Sequence, residues 1–465
     1  MSLSHLVVNN PYNGEKVGEV VAGGAAEIET AVACAHTGAE LMAAMPAHQR
    51  SSILTHTAGQ LRTEATELGY LIASESGKTW NEGIAEVKRA AGIFQLAAEE
   101  ARRIHGETLP FDAFETGEGR TGYWLREPVG IVGAITPWNV PLALAAHKIA
   151  PAIAAGNAVV HKPAEQTPLN ALKLQEIMLH VGLPMTALQV VTGLGEEAGD
   201  ALVRHSDVPF VTFTGSRAVG MQLPARAGYK RVALELGGNS PVIITESANI
   251  KTASAAIVAG GYAVAGQLCI SVQRVLVQRT MMKQLVDALV PLVEALVTGD
   301  PLEAKTNVGC LIDVAACDRI ESLVHSTMRS GAALLYGGFR IGRTSFAPTL
   351  ITDIPTDRGL AMDEAFGPIV ALLPYDTLEQ AVAIANATPY GLNAGIFTGQ
   401  ISQAEYAARN LNFGAVMIND VPSFRSDLMP YGGRKQSGIG REGVRFAIEE
   451  MTELKVICSK SISLN

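Results

Sequence analysis

Five short stretches carry side chains whose type and setting could do chemistry. In AGQLCISVQR, Cys269 lies between a glycine-rich approach and a run of small and β-branched residues. In LELGGNSP, Glu235 sits in an apolar run that ends in two glycines. Glutamate is rarely buried without a partner, and apolar surroundings raise a carboxyl pKa toward neutrality, as a general base requires. A single buried ion pair is the plainer use of the same residue. In TPWNVP, Trp138 and Asn139 follow a β-rich run; an asparagine amide there can donate to a developing oxyanion or simply close a turn. In VVHKPAEQTP, Lys162 comes directly after a strand, with Pro163 next and Glu165 beyond. Such a cation and carboxylate can hold two ribose hydroxyls, or belong to a solvated loop. In FTGSRAVG, Gly215 allows close backbone approach and Ser216 can cap a helix whose first turn offers N–H groups to a phosphate; a plain strand-to-helix turn is the alternative.

The five cysteines, at 34, 269, 310, 317 and 458, are odd in number and contain no CxxC. A disulfide framework is not expected in a chain of this size. HExxH is absent and no His/Cys cluster surrounds Cys269, so no metal site is expected. Cys269 is therefore core filler or a nucleophile, since free cysteines are among the most buried residue types.

The elements that must position these residues can be read from periodicity. Residues 26–105 repeat apolar positions at helical spacing. A Gly-rich, charged stretch follows, with alternation from Thr121 to Arg126 that predicts an exposed hairpin or edge strand. From Val129 to Gly238, five strand-like runs alternate with helical ones, which predicts a parallel sheet covered by helices. Such sheets bind ligands beyond the carboxyl ends of their strands, where the stretches above fall. TGLGEEAG is tempting, but its glycines at 193, 195 and 199 miss the G-x-G-x-x-G spacing, so a turn and helix start is expected there. A second alternating set runs over 239–445, and the tail TELKVICSKSISL is again strand-like.

A chain of 465 residues exceeds one ordinary core. Its net charge of −9 argues against nucleic acid or an anionic membrane surface as a partner. The most apolar region, PLALAAHKIAPAIAAGNAVV, is too interrupted to span a bilayer, and the N-terminus lacks the features of a secretory signal. A soluble, cytoplasmic protein is expected.

PWNVP, KPAEQTP, FTGS, LELGGNSP, GQLC, EAFGP and PYGGRKQSGIGRE occur in this order along the chain. Each is weak alone, but the ordered set resembles the NAD(P)-dependent aldehyde dehydrogenase superfamily from about Val7 to Val456. The resemblance implies an α/β fold with two doubly wound domains: cofactor binding over 1–108 and 129–238, catalysis over 239–445. A small β oligomerisation element would combine 109–128 with 446–465, making a homodimer or homotetramer. It implies Cys269 as nucleophile, Asn139 as oxyanion donor, Glu235 as base, and Lys148 and Glu442 as supporting residues. NAD, with NADP possible, would meet Lys162, Pro163 and Glu165 at the adenosine ribose and Gly215 and Ser216 at the pyrophosphate. Thr136, Pro137, Trp138 and Gly237 would line the same cleft, and Glu364 and Phe366 would hold the nicotinamide ribose. A carboxylate at 165 would repel a 2′-phosphate, so NAD should be preferred.

The loop INDVPSFRSDLMPYGG resembles branches acting on small hydroxy-, phospho- or sulfo-aldehydes. Arg425, with Arg103 upstream, could anchor an anionic tail, although Leu268 stands where several anion-specific members carry arginine. Two other outcomes are a coenzyme-A-acylating enzyme, whose members commonly lack the base at Glu235, and a catalytically silent structural relative.

Overall fold

The computed structural model describes residues 5–460; the last four residues of the expected tail strand lie outside them. Two open sheets carry the site. In the first, β1 (Ile131–Ile135), β2 (Ala158–Lys162), β3 (Leu188–Val190), β4 (Phe210–Thr214) and β5 (Arg231–Glu235) are all parallel, in the order β5-β4-β1-β2-β3. β1, β2 and β4 are buried at every position, which is why their sequences run apolar without alternation. The second sheet uses β6 (Ser240–Ile244), β7 (Val272–Gln278), β8 (Ala333–Tyr336), β9 (Thr349–Thr352), β10 (Ile369–Tyr375), β11 (Asn393–Phe397) and β12 (Ala415–Ile418). Its order is β8-β9-β10-β7-β6-β11-β12, parallel except for β8 on β9.

Three helices matter for the site. α1 (Trp80–Ala101) begins with a capping box between Thr79 and Glu82. α2 (Pro141–Ala155) is alanine-rich and buried almost all round, starts on a proline and ends on Gly156 at φ 93°. A helix apolar on every face belongs inside a large core, so the polar residues within it, His147 and Lys148, must find partners there. α3 (Ile250–Tyr262) leads to the Cys269 turn.

Two pairings between distant segments shape the rest of the fold. A short strand, β13 (Gly438–Ile439), pairs antiparallel with Leu234 and Glu235 of the first sheet, and Val444, Ala447, Ile448 and Met451 pack into the core around α1 and α2. Residues 438–445 therefore pack with the first body, although they fall within the 239–445 span. Of the hairpin or edge strand expected at 121–126, the hairpin is found: 120–128 pairs antiparallel with Glu107–Leu109. It is not an edge, because Thr452–Lys460 pairs on its other side, and that second partner comes from the far end of the chain, which local alternation cannot reveal. The longer of its two edges is Thr452–Lys460, exposed at eight of its nine positions, including Leu454, Val456 and Cys458.

In TGLGEEAG, a Cβ on Gly193 would stand 2.1 Å from the Gly23 carbonyl. That glycine makes room for the N-terminal segment, and a helical stretch begins at Gly195, in line with the expected turn and helix start. No helix among the described residues is long and apolar enough to cross a membrane.

Candidate active site

Cys269 is presented by a constrained turn. Val264, Ala265 and Gly266 have φ of 51°, 52° and 71°, a conformation costly for residues with a Cβ. Neighbours hold it. Glu82 of α1 accepts the Val264 N–H at 2.7 Å. The Gln267 side chain donates to the carbonyls of Val264 (3.0 Å) and Cys310 (3.2 Å) and accepts the Ile312 N–H at 3.1 Å. Strain kept by so many contacts is a mark of functional sites. Cys269 packs against Ile270, Leu392 and Tyr431, with its Sγ 3.3 Å from the Tyr431 hydroxyl. Burial pushes the thiol up to about 11, against the Tyr431 hydrogen bond and the Arg425 charge.

Asn139 stands just before α2. The first free N–H groups of that helix, on Leu142 and Ala143, go to Glu86 Oε1 at 2.8 and 3.1 Å, and Lys78 pairs with the other oxygen. This buried Lys78–Glu86 pair fixes the helix start and hence the amide. Asn139 Nδ2 donates to the Gln267 carbonyl at 2.7 Å. An amide nitrogen has two hydrogens, so one remains for an oxygen bound beside Cys269.

Glu235 ends β5 and is buried, and its Oε2 has no hydrogen-bond partner. Among the described residues it forms no ion pair, which answers the plainer reading of its sequence. Burial, with Glu442 nearby, raises its pKa well above the usual range. Three residues on, a Cβ at Gly238 would stand 2.2 Å from the Cys269 carbonyl. The end of the strand that carries Glu235 thus packs directly on the Cys269 turn.

Glu442 is bound on both oxygens. Lys148 Nζ is 2.8 Å from one, and also donates to Thr212 at 3.0 Å; Arg425 Nη2 is 3.0 Å from the other. Burial opposes ionisation, but these two cations outweigh it and hold Glu442 well below the usual range. The Arg425 side chain is 5% exposed. Its guanidinium lies over the Tyr431 ring, 3.6 Å from the centroid, and its Nε has no hydrogen-bond partner.

Asp427 lies beside this arginine and accepts from Arg89 of α1 at 2.7 Å and from His147 Nε2 at 3.0 Å. Burial and the Arg425 charge push His147 down to about 4, so it is neutral. Three cations (Lys148, Arg425, Arg89) thus face two ionised carboxylates (Glu442, Asp427), and one positive charge is in surplus while Glu235 holds a proton.

The residues expected to meet the cofactor gather at the carboxyl ends of the first sheet. Lys162 ends β2 with its Nζ 3.4 Å from Glu165, and Pro163 is buried between them. Thr136 donates its N–H to the Lys162 carbonyl at 3.2 Å, and Pro137 and Trp138 follow, half-buried. Gly215 donates its N–H to the Glu235 carbonyl at 3.1 Å, and Ser216 caps a four-residue helix, accepting from Val219 at 3.4 Å. A Cβ on Gly237 would stand 2.2 Å from Glu364 Oε2, while Glu364 Oε1 accepts the Gly238 N–H at 3.0 Å. Burial raises Glu364 to about 7. Phe366, at φ 45°, meets Trp138 edge to face at 5.7 Å. Thr214 at the end of β4 has a buried hydroxyl without a partner. This donor set fits a dinucleotide: a lysine–glutamate pair and a second buried carboxylate flank a glycine-bearing turn.

One residue does not join the site. Arg103 lies past the end of α1, is exposed, and pairs with Glu100 at 2.8 Å, facing a separate surface cavity with Trp124, Arg126 and Arg445. Arg89 lies on α1 itself; at about 1.5 Å per residue the helix carries Arg103 some 20 Å beyond it. Leu268 is half-buried beside Cys269. Tyr431, Arg89, Asp427, His147 and the Gln267 clamp were not picked out from sequence. Tyr431 lies within PYGGRKQSGIGRE and Gln267 within GQLC, but nothing local marks their roles.

A model of the aldehyde dehydrogenase family matches residues 2–457. The chain belongs to the aldehyde dehydrogenase family. It is 43% identical to aspartate-semialdehyde dehydrogenase 1 of Pseudomonas canavaninivorans, over 98% of this chain and 96% of that protein. It is 40% identical to 3-sulfolactaldehyde dehydrogenase of Priestia aryabhattai, over 97% of this chain and 94% of that one. Among solved structures, glyceraldehyde-3-phosphate dehydrogenase GapN of Methanocaldococcus jannaschii, complexed with NADP, superposes with a TM-score of 0.95 at 38% identity, covering 99% of this chain and 100% of that one. The activity that membership brings is the NAD(P)-dependent oxidation of an aldehyde to its acid.

Proposed function

We propose that this aldehyde dehydrogenase oxidises short aldehydes bearing an anionic tail, with Cys269 as nucleophile, Asn139 as oxyanion donor and Glu235 as base. The observation that carries this reading is the contact of the Glu235 strand end with the Cys269 turn, with the Asn139 amide tied to the same turn. The Cys269 sulfur, as thiolate, attacks the aldehyde carbon, and the oxygen takes the negative charge. The second Asn139 hydrogen and the Cys269 N–H hold that oxygen. Bound NAD(P) supplies a hydride acceptor. After hydride loss the acyl group stays on sulfur as a thioester. Glu235, ionised, takes a proton from water, which adds to the carbonyl; the carbon–sulfur bond breaks and the acid leaves. Lys148 and Arg425 keep Glu442 ionised, so that Glu442 does not compete for this proton.

The surplus positive charge around Arg425 and Arg89 supports an anionic substrate, as do the names of the aspartate-semialdehyde and sulfolactaldehyde relatives. Glu165 beside Lys162 favours NAD over NADP, although the GapN relative was solved with NADP. The first body binds cofactor, the second carries the nucleophile, and the exposed edge Thr452–Lys460 joins subunits in a homodimer or homotetramer. Cysteines with no disulfide partner suit the cytoplasm. A panel of carboxylated, sulfonated, phosphorylated and neutral aldehydes, followed by NADH or NADPH absorbance, tests the reading with Cys269→Ala as control. Acid released without coenzyme A supports hydrolysis. Equal efficiency on neutral aldehydes overturns the anionic class.

A further inference from the structure

We infer that Tyr431 is a further catalytic residue: its hydroxyl donates to the Cys269 sulfur and makes the thiolate easier to form, and Arg425 behind its ring strengthens that donor. The inference rests on Cys269 being the nucleophile. Three observations carry it. The Tyr431 hydroxyl is 3.3 Å from Sγ, and it is the only side-chain hydrogen-bond partner of that sulfur among the described residues. Tyr431 is 3% exposed, so water does not compete for the bond. The Arg425 guanidinium lies 3.6 Å from the ring centroid and is held there by Glu442. A cation over a phenol ring draws electron density from it, which makes the O–H a better donor.

Either atom could donate while Cys269 is a thiol; its ionisation sets the direction of the bond. Tyr431 has no described acceptor other than the sulfur, and burial keeps the phenol protonated. As a thiolate the sulfur can only accept, so the bond is strongest once the Cys269 proton has left. The Tyr431 N–H is bonded to the Glu442 carbonyl at 2.9 Å, and the Glu442 N–H returns to the Tyr431 carbonyl at 2.7 Å. The phenol is therefore anchored to the residue that also holds Arg425. A bare aromatic ring at this position would serve packing as well; the hydroxyl is what packing does not explain.

The test is the pH dependence of Cys269 alkylation by iodoacetamide, read on the Cys269 peptide by mass spectrometry. This reading reports the thiol itself and needs no turnover. Tyr431→Phe keeps the ring and removes the donor. Its alkylation profile should move to higher pH by about one unit, as expected for loss of a hydrogen bond to a charged group, with the rate at full ionisation kept. The pre-steady-state burst of NADH should slow about tenfold at neutral pH with KM little changed. Site-specific 3-fluorotyrosine at 431, a stronger donor on the same ring, should move the profile the other way. Superimposed profiles for all three proteins, or a shift of the fluorinated protein to higher pH, overturn the role. If Cys269→Ala keeps full dehydrogenase activity while the profiles shift as expected, the nucleophile assignment fails and the Tyr431–Cys269 bond stands.

Discussion

Two buried glutamates near the Cys269 turn behave in opposite ways. Glu235 has one oxygen with no partner, and burial pushes its proton affinity up. Glu442 is just as buried, yet Lys148 and Arg425 each take one of its oxygens and keep it ionised. Burial alone raises a carboxyl pKa; partners decide whether it stays raised. Two groups of one type, with their affinities pushed apart, can divide proton transfer from charge support.

Replacing each glutamate breaks the contrast in a different way. Glu235→Gln should lower steady-state acid release by about 10²–10⁴-fold while leaving a burst of NADH; loss of the burst as well would show that Glu235 acts before the thioester. The acid limb of the wild-type profile should lie well above the usual glutamate value of about 4.3, because the base must be ionised and its pKa is raised. The limb should vanish in Glu235→Gln. The sign for stability follows too. With its folded pKa raised, Glu235 contributes stability fully below its unfolded pKa and loses it as pH rises through the folded one. The gain of Glu235→Gln over wild type should therefore grow with pH in denaturant melts.

Glu442→Gln should instead destabilise the fold by about 3–5 kcal/mol in the same melts, since it strands two buried cations. Equal stability of the two variants would remove the distinction. Arg425→Ala should raise KM for anionic aldehydes roughly 10–100-fold, as for loss of a charge-assisted contact, and by less for neutral ones; equal changes would end the anionic reading. The smallest effect concerns the cofactor end. Glu165→Gln should improve NADP efficiency relative to NAD by about tenfold, as removal of one like charge implies. An unchanged ratio would show that Glu165 does not discriminate.

Much of this was legible along the chain. The alternating runs between 129 and 238 gave the parallel strands, because strands buried on both faces must be apolar throughout. The ordered motifs marked Cys269, Asn139, Glu235 and the cofactor residues, which lie at strand ends or helix starts, where local sequence carries the signal. Of the two arginines singled out for an anionic tail, Arg425 lies beside Glu442 and Arg103 lies apart from it; that Arg89, on the same helical stretch, reaches Asp427 is visible only in the packing. At 121–126 the hairpin reading held and the edge-strand alternative did not, because the second neighbour, 452–460, lies at the opposite end of the chain.

By itself, the sequence determined which functional groups exist and in what order, since residue types and turn chemistry are local properties. Only the tertiary structure decided their states. Glu235 is left without an ion pair and Glu442 is paired twice because the fold brings Lys148 and Arg425 to one carboxylate and not to the other. Tyr431 touches the Cys269 sulfur because segments distant in the chain fold against one turn. Proton affinity depends on burial and on which charges stand within a few ångströms, and both are set by residues far away in sequence.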